Sequence, residues 1–231
     1  MTDPRPTNSP VDPGTDPASG ALTAFQVEVA GEFFALSSAH GFLLAGGAAL
    51  VAQGVTSRPT QDLDLFTSPG RGNVRTALAD VAARAVERGW DVEVVREGDT
   101  FARVIIHRGQ DAVVLDLAVD ATPQYPPTVT FLGPALDRDE LAGRKVVALF
   151  DRAEVRDFAD VYVLAKRYGT ERLIELAGAV DAGFDRGVLA VMLDSLARFT
   201  DAEIPVPGGV DAGAVREFFS RWGEQLRTAS P

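Results

Sequence analysis

Apolar and polar positions change period several times along the chain, and each change marks an element. From Ala21 to His40, Phe25, Val29, Phe33 and Leu36 recur at helical spacing and Gly41 follows, which predicts a helix over 21–40. Phe42–Ala45 is a short apolar run suited to a buried strand. Gly46–Gly47 break the chain, and Ala48–Gln53 reads as a helix stopped by Gly54. Asp62–Phe66 alternates with period two and predicts a strand. After the Ser68-Pro69-Gly70 turn, Asn73–Gly89 reads as a helix capped by Asn73 and closed by Gly89. Three strand-like runs follow, 91–96, 102–107 and 112–119, the last two joined through Arg108-Gly109-Gln110-Asp111 as a hairpin. Pro123, Pro126 and Pro127 interrupt regular structure, and helical patterns then cover 139–152, 155–168, 170–182, 185–200 and 211–228.

This order predicts an α+β fold. A mixed sheet with flanking helices occupies 21–135, and a helical domain occupies 136–231. Residues 1–20 are rich in Pro, Asp, Ser, Thr and Gly and carry no aromatic, so they read as a disordered tail. No internal repeat is visible. Apolar residues make up 46% of the chain, enough for a core, yet no apolar run is long enough for a transmembrane helix. No basic stretch followed by an apolar run opens the chain, so no secretory leader is expected. The absence of cysteine excludes disulfides and thiolate metal sites and fits a cytoplasmic protein. A net charge of −11 argues against a general polyanion binder, though it leaves room for a local basic groove.

The stretch Thr60–Phe66, TQDLDLF, carries the first candidate chemistry. Residues two apart in a strand share a face, so Asp62 and Asp64 point together while Leu63 and Leu65 point into the core. Two adjacent carboxylates repel, and a divalent cation compensates both. Mg²⁺, a hard ion, takes oxygen ligands and commonly combines one or two carboxylates with substrate phosphates. Asp116, inside the apolar run VVLDLAVD, is the candidate third carboxylate, with Asp120 in reserve at the strand end. A bare D-x-D is more often a solvent-facing stripe. The upstream Gly46–Gly47 changes that weighing, because glycines let backbone N–H groups approach phosphates closely. Lys145 and Lys166 are the only lysines in a chain that otherwise uses arginine, so Lys145 suggests a need for a compact ammonium. Arg156 and Asp160, four apart, would form a helix-surface pair. His40 and His107 belong to no ligand-spaced cluster and read as structural or exposed. Phe158 and Tyr162 read as core, and Phe218, Phe219 and Trp222 as the docking face of the last helix.

Together FLLAGGAAL (Phe42–Leu50), TQDLDLF and VVLDL (Val113–Leu117) resemble a nucleotidyltransferase of the DNA-polymerase-β-like superfamily. ELAGRKVVALFDR (Glu140–Arg152) and VRDFADVYVL (Val155–Leu164) narrow the resemblance to the AbiEii/AbiGii toxins of type IV toxin–antitoxin systems. The match spans residues 42–164. It implies a polymerase-β-like mixed sheet followed by a helical bundle, and transfer of a nucleoside monophosphate from an NTP to an acceptor hydroxyl on RNA such as tRNA, or on protein. It implies that Asp62 and Asp64 hold Mg²⁺, and that Asp116 is a third ligand or the general base. Gly46 and Gly47 would cradle the triphosphate, Lys145 would neutralise its charge, and Asp157 would orient Lys145 or the nucleotide, with Asp160 supporting helix packing. A cognate DNA-binding antitoxin is the implied partner, with no membrane. Many relatives place Ser or Thr after the glycines where this chain has Ala48. Two alternatives stand beside this reading: a small-molecule, aminoglycoside-like acceptor, and an inactive relative that binds nucleotide or a partner.

Overall fold

Leu63 and Leu65 are fully buried while Asp62, Asp64 and Phe66 remain partly open, so the period-two run becomes a two-faced strand, β2 (Asp62–Thr67). The structure, a computed structural model, describes residues 20–205 and 210–228. The predicted tail at 1–20 therefore lies, apart from Gly20, outside the described residues.

Six further strands flank β2: β1 (Phe42–Ala45), β3 (Asp91–Arg96), β4 (Phe101–Arg108), β5 (Asp111–Val119), β6 (Thr128–Thr130) and β7 (Gly133–Ala135). They form one sheet in the order β3-β4-β5-β2-β1-β7-β6. β2 runs parallel to β5, and β1 parallel to β7; the remaining neighbours are antiparallel. The apolar face carries Leu63, Leu65, Val104, Ile106 and Leu115, all buried. It packs beneath α1 (Ala24–Phe34) and α3 (Val74–Glu87). Thr23 and Gln26 close a reciprocal capping box at the start of α1, and the Asn73 side chain caps α3 by accepting from the Thr76 amide.

The short helix α2 (Gly46–Ala52) joins β1 to the loop before β2. The second half is helical: α4 (Arg138–Asp151), α5 (Val155–Tyr168), α6 (Thr170–Val180), α7 (Arg186–Asp194) and α8 (Ala212–Thr228). A Cβ on Gly143 would lie 2.6 Å from the Leu176 carbonyl oxygen, so only glycine lets α4 and α6 approach this closely. Phe158 and Phe219 meet edge to face at 5.1 Å and Tyr162 and Phe218 at 5.2 Å, docking α8 on α5. One buried apolar cluster includes residues of both halves, from Phe25 and Leu115 to Phe158 and Trp222. Among the described residues no helix is long and apolar enough to cross a membrane.

Several boundaries differ from the pattern. The helix predicted over 21–40 ends at Phe34. The Leu36 amide bonds the Phe33 carbonyl at 3.0 Å, tightening the last turn, Leu36 is extended, and 37–39 form a separate 3₁₀ turn. The helix predicted over 185–200 stops at Asp194, and Ser195–Arg198 tighten into 3₁₀ as the Ser195 hydroxyl donates to the Met192 carbonyl at 2.6 Å. Gly46–Gly47 form the first turn of α2 rather than a break before it. The β6–β7 hairpin was not legible. Its strands are three residues long, and its anchor is distant in sequence: Ala135 pairs with Leu44, and the Leu136 amide bonds the Leu44 carbonyl at 2.9 Å.

Candidate active site

Parallel pairing of β2 with β5 places Asp64 directly opposite Asp116, with Asp62 two residues along the same face. All three carboxylates line one cavity of ≈ 520 Å³. Gly46 and Gly47 form part of the same wall, and α4 and α5 contribute Lys145, Arg152 and Arg156. Gly46 has φ +60°, and a Cβ there would fall 1.8 Å from Asp64 Oδ2. A side chain is excluded both by the backbone conformation and by the carboxylate resting on it.

The cavity is a lattice of ion pairs. Arg103 of β4 grips both oxygens of Asp116, Nε to Oδ1 at 2.7 Å and Nη2 to Oδ2 at 2.6 Å. Arg156 Nη1 donates to Asp62 Oδ2 at 3.1 Å and its Nε to Glu154 at 2.9 Å. Lys145 Nζ lies 2.8 Å from Asp160 and 3.7 Å from Asp157. Arg152 makes a fork to Asp157 at 2.9 and 3.1 Å, and Arg58 a fork to Asp160 at 2.9 Å for both bonds. Arg144 bridges Glu140 and Asp120. Burial pushes the Asp64 carboxyl up to about 6, the charge of Asp62 adds to the shift, and Lys145 opposes it. Burial also disfavours the Asp160 charge, but Lys145 and Arg58 overcome it and hold that carboxyl below the usual range.

Every sequence-predicted site residue, Gly46, Gly47, Asp62, Asp64, Asp116, Lys145 and Asp157, falls at this cavity or against Lys145. The nearer partner of Lys145 is Asp160, while Asp157 faces chiefly Arg152. The anticipated Arg156–Asp160 surface pair does not form. Asp160 is fully buried beneath Lys145 and Arg58, and Arg156 reaches across to β2. Asp120 lines the cavity but is engaged by Arg144. Ala48 is fully buried and is not among the lining residues, so the missing hydroxyl alters helix packing rather than the cavity wall. His40 and His107 lie away from the cavity, His107 beside Glu93 at 3.7 Å.

Sequence reasoning missed the arginines, Arg103 above all. The signal was present: a two-residue Gly109–Gln110 loop pairs Arg108 with Asp111, and counting back along both strands pairs Arg103 with Asp116.

Among the described residues no three carboxylates or histidines gather into a ready-made cation cage, because Asp62 and Asp116 turn toward guanidiniums. The donors themselves suit a hard divalent ion. All are oxygens, they share one face, and Asp64 sits between two like charges with its proton affinity raised by burial.

No curated protein matches the chain. Among solved structures, JHP933 from Helicobacter pylori is 16% identical with a TM-score of 0.60, covering 93% of each chain. MenT4, a nucleotidyltransferase toxin of Mycobacterium tuberculosis H37Rv, is 16% identical with a TM-score of 0.54, covering 89% of each chain. At that identity both show a shared fold. The family model described as the AbiEii nucleotidyl transferase toxin of type IV toxin–antitoxin systems matches residues 31–221. With that match covering most of the chain and the carboxylate face, glycine turn and buried lysine converging on one cavity, the protein belongs to the AbiEii nucleotidyltransferase toxin family.

Proposed function

We propose that the chain transfers a nucleoside monophosphate from an NTP to an acceptor hydroxyl on RNA, such as a tRNA end, or on a protein side chain. In this reading it does so in the cytoplasm as the toxin of a pair whose antitoxin is a small DNA-binding protein. Residues 21–135 then form the catalytic core, and 136–231 the helical domain that supplies Lys145. The observation that carries the reading is the convergence of Asp62, Asp64 and Asp116 on one sheet face across the cavity from Lys145.

Asp62, Asp64 and Asp116 would hold a divalent cation, Mg²⁺ by the hardness of the donors, and that ion supplies charge neutralisation at the phosphates. The Gly46–Gly47 turn lines the same cavity, and its backbone would face the triphosphate beside the Asp64 carboxylate. Lys145, fixed by Asp160 and Asp157, presents a compact positive charge to the same phosphates. Asp116 takes the proton of the acceptor hydroxyl. The acceptor oxygen bonds the α-phosphorus, the bond from that phosphorus to its bridging oxygen breaks, and pyrophosphate leaves.

The test is intact-mass analysis of tRNA, candidate protein and aminoglycoside acceptors after incubation with each NTP and Mg²⁺. One added nucleotide on tRNA or protein is the expected result, lost in Asp64→Ala with the melting transition retained. Adducts on the aminoglycoside alone, or full transfer by Asp64→Ala, would reject the assignment.

A further inference from the structure

We propose that Arg103 competes with the divalent cation for Asp116, and that the guanidinium so released binds the nucleotide's phosphates, coupling cation and nucleotide binding. The inference rests on the function proposed above and adds Arg103 to it as a phosphate-binding residue.

The geometry makes the competition direct. Asp116 is 5% exposed, and both of its oxygens are taken by Arg103 at 2.7 and 2.6 Å. A carboxylate whose two oxygens lie in a guanidinium fork has spent its charge and two of its lone-pair sites on the arginine, so a cation must compete with that arginine for it. The other cavity cations are differently placed. Lys145 and Arg58 are committed to Asp160, Arg152 to Asp157, and Arg144 to Glu140, none of which belongs to the cation-binding set. Arg156 bridges Asp62 and Glu154 and keeps the second partner if it loses the first. Among the described cavity cations Arg103 alone forms its ion pairs solely with a carboxylate of the proposed cation-binding set.

Its side chain stands apart from the core. It is 43% exposed and leans over the Phe101 ring at 5.9 Å, so leaving Asp116 opens no hole in the core. It lines the same cavity as Gly46, Gly47 and Lys145. A planar fork that fits a carboxylate also fits a phosphate. Once the carboxylate is neutralised by a cation, the unpaired guanidinium finds its counter-charge in the polyphosphate. This exchange of partners means each ligand favours the other, and the coupling is reciprocal.

The experiment uses Mn²⁺ as the probe, with free ion followed by electron paramagnetic resonance, and a fluorescent NTP analogue followed by anisotropy in EDTA and in Mg²⁺. Wild type, Arg103→Gln and Arg103→Lys are compared. Arg96→Gln serves as a control, since it removes a neighbouring charge of the same sheet without touching Asp116. Without nucleotide, Arg103→Gln is expected to bind Mn²⁺ about 10-fold more tightly than wild type, within the usual range of coupling factors. Arg103→Lys, which keeps the charge but cannot occupy both oxygens, should fall between them, and Arg96→Gln should match wild type. Nucleotide affinity should be equal for wild type and Arg103→Gln in EDTA, and about 10-fold weaker for the variant in Mg²⁺. Equal Mn²⁺ affinities, a Lys variant identical to wild type, or a nucleotide deficit as large in EDTA as in Mg²⁺ would overturn the exchange and leave the functional reading standing. No Mn²⁺ binding by any form, with no nucleotide transfer, overturns both.

Discussion

Asp64→Asn should make the cation-free protein more stable at neutral pH while removing its activity. The wild-type carboxyl is raised from 3.8 to about 6, chiefly by burial and then by Asp62. The folded protein therefore holds this proton more tightly than the unfolded chain does. Stability from this group is fully present below the unfolded pKa and falls as pH rises toward the folded one. A shift of about 2 units at about 1.4 kcal/mol each gives a deficit of about 3 kcal/mol above pH ~7. Asparagine keeps the shape against Gly46 and abolishes the charge. Allowing about 1 kcal/mol for an amide less well partnered than in water leaves a net gain of about 2 kcal/mol. At about 2–4 °C per kcal/mol for a chain of this size, Tm should rise by about 4–8 °C. The assay is thermal melting of both proteins in EDTA from pH ~4 to ~8, repeated in Mg²⁺. The gain should vanish toward pH ~4, and Mg²⁺ should raise the Tm of wild type more than that of Asp64→Asn, which keeps Asp62 and Asp116 but loses one charged ligand. A variant that melts below wild type near pH 8, or a difference independent of pH, refutes the reasoning.

Gly46→Ala should fold but lose at least about 100-fold in transfer rate, because its Cβ would displace the Asp64 carboxylate it meets at 1.8 Å; labelled-nucleotide incorporation and circular dichroism check this. Lys145→Met should lower stability by about 3 kcal/mol, since it strips a partner from the buried Asp160, and Lys145→Arg should not restore transfer because the planar fork does not fit the ammonium's place; denaturant melts and incorporation assays read the two effects. Arg58→Ala should destabilise by about 3 kcal/mol through the same buried carboxylate, and Arg58→Ala with Asp160→Asn should lose less than the sum of the single changes in a double-mutant cycle.

Most of the fold was legible in the chain because its signals are local. Asn73 caps α3 as its side chain requires, and α5 runs from Val155 to Tyr168 as the apolar period predicts. Period-two alternation placed Asp62 and Asp64 on one face before any neighbour was known. What escaped depended on distant partners: β7 is a strand because β1 lies beside it, and Asp160 is buried because Lys145 and Arg58 close over it.

The division between the two kinds of information follows the range of the forces. Spacing, capping and side-chain alternation act within a few residues, so the chain alone determined the order of its helices, the β4–β5 hairpin and the acidic face of β2. Ionic partners are chosen in space. The register of β5 against β4 gave Asp116 to Arg103, and the seating of α5 beside α4 brought Arg156 to Asp62. Only the tertiary structure decided which charges in this acidic chain are already spent on one another and which stand ready for a ligand.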